Sequence, residues 1–409
     1  MKTESGQHLT YCLNIHPGES WAENLQAIQT HALRVRDRVC PDNAFGLGLR
    51  LGARAAQELQ QGDRLAEFRE LLASQNLYVF TINGFPYGPF HGTRVKEQVY
   101  QPDWTTVERC AYTVQLAEIL GALLPPDMTG SISTVPGAYA PCVQGEASCR
   151  RMTDQLMVAV SHLAKLHRET GQEIHLGLEP EPDCFIETTD QFLSFYTEWL
   201  LGRGRDELAA ISGESRDTAE TWIRRHLGVC VDTCHAALQF EAPETCLDRY
   251  RETGVRVSKI QLSAALETAN TASACEALRA FNEPVYLHQV RARRADGEIA
   301  GWPDLPEALA ELPRYSGIDT VRVHFHVPLF WTGTPPLNTT VIGLSETFWA
   351  NVRSGTSPHL EIETYTFSVL PASLKSLAIE QSITREFEWV ENSTKAEKWC
   401  SAGVNAKGC

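Results

Sequence analysis

An aspartate and a histidine three residues apart, Asp232 and His235, close the run LGVCVDTCH, whose first six residues, 227–232, read as an apolar strand. Neither group tolerates an apolar interior unless something pairs with it. Two further carboxylates stand in the same setting, Glu179 at the end of IHLGLE and Glu363 in HLEIETYTF, and Gln261 lies within VSKIQLS. Side chains alternate along a strand, so each run splits into two faces. Leu227, Val229 and Val231 oppose Gly228, Cys230 and Asp232, and Leu176 and Leu178 oppose His175, Gly177 and Glu179. Ile260 and Leu262 oppose Lys259, Gln261 and Ser263, while Leu360 and Ile362 oppose Glu361 and Glu363. If the apolar faces meet helices, the polar faces meet one another and Glu179, Asp232, Gln261 and Glu363 crowd together. Several ionised carboxylates cannot share a dry site without counter-charge. A divalent cation supplies it, and His235 can return to the same place from the following turn. Such an ion would chelate a carbonyl and an adjacent hydroxyl, with Glu179 and Glu363 as the acid and base that move a carbon-bound proton.

Other side chains extend this set. His324 and His326 are spaced to share one face of TVRVHFHVPLF, which makes both candidate site residues, His324 as a substrate contact. His16, Asn83 and His91 stand at or just after strand-like runs and are further candidates for substrate binding. Arg50 is a candidate for a substrate phosphate, although no glycine-rich phosphate cradle accompanies it. Glu181 is expected at the mouth, Glu361 in an ion pair with Lys259 or Arg50, and the Cys234 thiol in packing. Phe85, Tyr87, Phe90, Phe330 and Trp331 are candidates for pocket walls. The twelve cysteines form no CxxC pair and read as reduced core thiols.

The elements that must position these groups follow from the pattern. Strand-like runs at 9–15, 44–51, 77–84, 130–135, 174–179, 227–232, 257–263 and 359–367 alternate with helical stretches. Ser20 and Glu23 form a capping-box pattern at the first helix, Gly171 suits a helix C-cap, and Pro371 suits the first turn of the last helix. Eight strands alternating with helices predict a parallel sheet closed as a (β/α)8 TIM barrel, with active-site residues at the C-terminal strand ends. The runs 285–292 and 320–330 fall between strands seven and eight, which predicts a long insertion within 267–350, read as a hairpin over the barrel mouth. The domain is expected to span 9–391, with 392–409 a disordered tail.

The chain has 409 residues, 43% of them hydrophobic and 21% charged, with a net charge of -15. That field opposes nucleic acid and favours a small-molecule partner, a polyol or a phosphorylated metabolite. The N-terminus lacks the apolar segment of a signal peptide and no run approaches eighteen apolar residues, so a cytoplasmic protein without a membrane span is expected. Oligomeric state is open.

The turn Asp232-Thr233-Cys234-His235, with Glu179-Pro180 before it and Glu363-Thr364 after it, resembles the xylose isomerase-like barrels, which include sugar isomerases, ketose epimerases and endonuclease IV. The stretches TYCLNIHPGESW, TINGFPYGPFHG, LEPEPD, CVDTCH, KIQLSAAL and HFHVPLF are similar to the EboE metabolite traffic proteins, over roughly residues 9–380. The epimerase branch implies metal ligands at Glu179, Asp232, Gln261 and Glu363, and the two-ligand pair that endonuclease IV and xylose isomerase place after the seventh strand implies His326 as a further ligand. Gln261 departs from it by offering a neutral oxygen in place of an imidazole, which leaves the ion open among Mn, Mg, Zn and Co. Glu181 stands where xylose isomerase carries a catalytic lysine, against a simple aldose isomerase mechanism. The resemblance implies an isomerase or epimerase of a sugar-like or cyclitol-like polyol. The alternatives are phosphoester hydrolysis of the endonuclease IV kind and a non-catalytic barrel that binds a metabolite.

Overall fold

The structure is a computed structural model that describes residues 1–92, 94–372 and 374–395. Seven strands, β1 His8–Tyr11, β2 Phe45–Arg50, β3 Leu77–Asn83, β4 Gly130–Thr134, β5 Ile174–Leu178, β6 Leu227–Asp232 and β7 Val257–Leu262, alternate with helices. Five inserted strands follow, β8 Leu266–Thr268, β9 Val290–Arg294, β10 Ile299–Trp302, β11 Ile318–Val323 and β12 Leu337–Thr339, before β13 His359–Ile362 completes the barrel. The eight barrel strands pair in parallel in the order β1-β13-β7-β6-β5-β4-β3-β2, and a parallel bridge between Cys12 and Gly48 joins the two ends. This is the expected TIM barrel, and all eight expected strands form it.

The face assignment also holds. Leu176, Leu178, Leu227, Val229, Ile260, Leu262, Leu360 and Ile362 belong to the main hydrophobic core, while the opposite faces make polar contacts inside the barrel. Lys259 of β7 donates to Glu361 of β13 at 2.5 Å, the ion pair expected for Glu361, and Ser131 of β4 donates to Thr81 of β3 at 2.8 Å. Register fixes the upper layer: Asp232 is opposite Gln261, and Gln261 is opposite Glu361. Glu179 and Glu363 follow the last residues of β5 and β13, so both stand at the C-terminal end of the barrel.

Local signals account for several boundaries. The helix Trp21–Ala27 opens on the Ser20–Glu23 capping box, and Gly145–Thr170 stops at Gly171, whose φ of 77° is open to glycine. The last helix, Ile379–Thr394, starts later than Pro371, because a 3-10 turn at Tyr365–Val369 first returns the chain from β13. Its final residues, 392–394, fall in the stretch expected to be a tail, and 396–409 lie outside the described residues.

The insertion is larger than a hairpin. Its five strands form an antiparallel sheet in the order β10-β9-β11-β8-β12. Two of them, β8 and β12, have three residues each, too short to show alternation in a sequence.

Candidate metal centre

Asp232 ends β6 and caps the helix Thr233–Leu238. Its Oδ1 accepts from Cys234 N at 2.7 Å, His235 N at 3.0 Å and Ser263 Oγ at 2.6 Å. Capping therefore occupies one carboxylate oxygen. Oδ2 is buried and has no hydrogen-bond partner among the described residues. An orphaned carboxylate oxygen in a dry site is costly.

The cap also turns His235 back over the barrel, where it meets the segment that leaves β11. His235 Nε2 lies 3.1 Å from His324 Nε2, which lies 3.3 Å from His326 Nε2. The outer nitrogens decide the tautomers. His235 Nδ1 is 3.1 Å from Pro180 O, His324 Nδ1 is 2.6 Å from Gln289 Oε1, and His326 Nδ1 is 2.7 Å from Glu363 O. All three partners are carbonyl oxygens, which only accept, so each Nδ1 carries a proton, and in the neutral rings of His324 and His326 Nε2 presents a lone pair. Burial, reinforced by the neighbouring imidazoles, holds His324 well below its ordinary pKa. Burial is also the leading cause that lowers His326 to about 4. Neutral rings with converging lone pairs repel one another unless a cation lies among them, and their Nδ1 acceptors are the kind that orient metal-binding histidines.

The carboxylates adjoin this group. One oxygen each from Glu179, Asp232 and Glu363 lie within 4.8 Å of one another, and Asp232, His235 and His326 satisfy the same limit with one ligand atom apiece. Burial, together with the Asp232 charge, raises the Glu179 carboxyl well above its usual range. Burial likewise raises Glu363, with Glu179 and Asp232 adding to the effect. At Asp232 burial would raise the pKa, but the hydrogen bonds from Ser263 and the His235 amide favour the carboxylate and the net shift is downward. Glu179 Oε2 is buried without a partner. The donor set fits a divalent cation: carboxylate oxygens and imidazole nitrogens within reach of one another, with outer hydrogen bonds already made.

Of the residues singled out in the sequence, the fold brings together Glu179, Asp232, His235, His324, His326, Glu363 and Asn83. Asn83 Nδ2 reaches across the barrel to Glu363 Oε1 at 3.0 Å. Gln261 lies in the barrel with its Oε1 accepting from Cys230 Sγ at 2.9 Å. Three residues stand apart. Arg50 donates to Gly18 O, Glu19 Oε2 and Gly88 O, which ties loops together. His16 stacks on His31 with centroids 4.5 Å apart and lines a different cleft. His91 is held by Asn14 O at 2.6 Å and Tyr286 Oη at 2.8 Å.

Other contacts emerge from the fold. Asn14 Nδ2 donates to Glu363 Oε1 at 2.7 Å, beside Asn83. Gln289 accepts from His324 and donates to Tyr100 Oη at 2.9 Å, and Tyr100 donates to Glu181 Oε1 at 3.0 Å. Glu181, raised by burial to about 7, has an oxygen within 4.8 Å of His235 and His324 nitrogens. The Cys234 sulfur, expected only to pack, lies within the same distance of His324 and His326.

A cavity of ≈ 530 Å³, open mouth included, rises from this floor. Asn14, Asn83, Glu179, Glu181, His235, His324 and Glu363 form its polar part. No helix among the described residues is long and apolar enough to cross a membrane.

No family model and no curated protein matches the sequence. Among solved structures the chain is similar to a D-tagatose 3-epimerase-like protein, at 12% identity and a TM-score of 0.46, covering 94% of this chain and 98% of that one. A xylose isomerase domain protein from Alicyclobacillus acidocaldarius matches at 10% identity and a TM-score of 0.46, with 94% and 98% covered. The IolI protein with a bound zinc atom matches at 12% identity and a TM-score of 0.43, with 95% and 98% covered.

Proposed function

We propose that this chain is a metal-dependent isomerase or epimerase of a sugar-like or cyclitol-like polyol. The observation that carries the reading is the meeting of the His235, His324 and His326 Nε2 atoms with the Asp232, Glu179 and Glu363 carboxylates at the barrel mouth, where Asp232 Oδ2 and Glu179 Oε2 are buried without partners. Asp232, His235 and His326 would hold a divalent cation, with Glu179, Glu363 and His324 bordering it. Gln261 joins them only by giving up the Cys230 thiol. Imidazole ligands favour Zn, Co or Mn over Mg. The bound ion would polarise a substrate carbonyl and hold the adjacent hydroxyl.

The chain's own part is proton transfer. Glu179 Oε2 makes no hydrogen bond, so it is free to take a proton from a substrate carbon, and burial makes its carboxylate more basic. Asn14 and Asn83 fix Glu363 through Oε1, which leaves Oε2 to return a proton. The EboE-like motifs support a role in the biosynthesis or traffic of a specialised metabolite, and Asn83, with His16, Arg50 and His91 as more distant candidates, would contact it. All ten described cysteines are free thiols, which supports a reducing, cytoplasmic setting. The test is solvent deuterium exchange into a panel of ketoses and cyclitol ketones by metal-loaded protein. Exchange should fall at least about 100-fold in Glu179→Gln and in Glu363→Gln; unchanged exchange in both variants overturns the reading.

Phosphoester hydrolysis is the second reading, favoured by imidazoles in addition to the carboxylates. Lys96, which lines the cavity, is engaged with Asp304, and Arg50, the sequence candidate for a phosphate, with Glu19. Turnover of bis(p-nitrophenyl) phosphate with no deuterium exchange would select it. A metabolite recovered unchanged after incubation with metal-loaded protein would select a non-catalytic barrel.

A further inference from the structure

Above the polar floor, the cavity changes character. Phe85, Phe90, Val95, Val99, Tyr286 and Tyr365 wall it, and Phe90, Val95, Tyr286 and Tyr365 form a hydrophobic cluster separate from the main core. Three different connections supply them: the loop after β3, the insertion before β9 and the turn after β13. Most polar groups that could soften this wall are engaged elsewhere. Tyr286 Oη is bonded to His91, Tyr100 Oη to Glu181 and Gln289, and the Lys96 ammonium to Asp304. The upper cavity thus presents rings, methyl groups and the Tyr365 hydroxyl, with no free cation among the described residues, while carboxylates, amides and imidazoles lie together at its base. A free polyol would leave that wall in contact with hydroxyls that find no partners there.

We infer that the substrate is amphipathic: a hydroxylated or carbonyl head that meets the metal centre, joined to a hydrocarbon or aromatic tail that fills the aromatic mouth. This deepens the function proposed above and rests on it for the head alone. The tail is read from the walls, which contain none of the proposed ligands.

The probes are straight-chain acyl hydroxamates from acetyl to octanoyl, whose heads chelate metal, titrated calorimetrically onto zinc-loaded protein. Affinity should rise about two- to fourfold per added methylene until the mouth is filled. Hydroxamates with oligoether tails of equal length should show no such gain. Phe90→Ser should flatten the series and leave acetohydroxamate binding unchanged. If acetohydroxamate binds but chain length has no effect in the wild-type protein, the amphipathic substrate is overturned and the metal centre stands. If neither zinc nor acetohydroxamate is held, the metal reading fails, and n-alkyl β-glucosides on metal-free protein decide the tail. Length-dependent binding there supports it, and flat affinity overturns it.

Discussion

Asp232 serves two ends with two oxygens. One caps a helix and receives three hydrogen bonds; the other is buried with none. Alternation along the strand makes this residue legible in the sequence, because a carboxylate at an inward strand end has few explanations. The same logic reaches Glu179 and Glu363. It sets Asn14 on the polar face of the 9–15 run without marking it as a site residue, and it misses Gln289, which precedes β9, since irregular backbone carries no periodic signal. His16, Arg50 and His91 were legible as polar groups near strand ends, but sequence gives no account of the loops that engage them. Gln289 matters because its carbonyl oxygen fixes the His324 tautomer. Gln289→Leu should weaken metal affinity about 10- to 100-fold, measured by competition with a chromophoric chelator, while Gln289→Glu, which keeps the acceptor, should retain most of it.

At the scale of elements, the last helix is tied to the site by a buried carboxyl. Glu386, on Ile379–Thr394, accepts from Thr364 Oγ1 at 2.7 Å and from Leu329 N at 3.2 Å, joining the helix to the turn after β13 and to the insertion. Burial raises its pKa from 4.5 to about 7, against the lowering effect of those hydrogen bonds. Below the unfolded value both states are protonated and the group costs nothing. As pH rises from about 4.5 to about 7, the unfolded chain releases its proton while the folded chain keeps it, so stability falls by on the order of 3 kcal/mol and then levels off. Glu386→Gln keeps an acceptor oxygen and cannot ionise. Its melting temperature should fall less than that of the wild type across this window and should be the higher of the two at pH 8; parallel profiles would contradict the assignment. The strands were readable from alternation, but helix details depended on local backbone. The helical stretch between β2 and β3 is divided into Ala53–Leu59 and Arg64–Ser74 around Gly62, whose φ is 59°.

For the whole molecule, closure of the barrel brings the two ends of the sheet together at Cys12 and Gly48, and the interior beside that seam is full. A Cβ on Gly48 would lie 2.4 Å from Glu361 Oε1 and 2.9 Å from Tyr11 O. Gly48→Ala should cost about 1–3 kcal/mol by overpacking, read as a lower midpoint in chemical denaturation. The architecture was legible because eight buried parallel strands leave repeated apolar runs, whereas the inserted sheet was underestimated because its shortest strands leave none. What the closed barrel accomplishes is to bring strand ends from distant parts of the chain to one mouth, and the central claim is that a divalent cation belongs there. Metal content after zinc loading and dialysis tests it most directly, in the wild type beside Asp232→Asn and His326→Ala, with circular dichroism as the control for folding. The account predicts at least about one equivalent in the wild type and well under half an equivalent in each folded variant. Full retention by both variants, or no retained metal in the wild type, would contradict it.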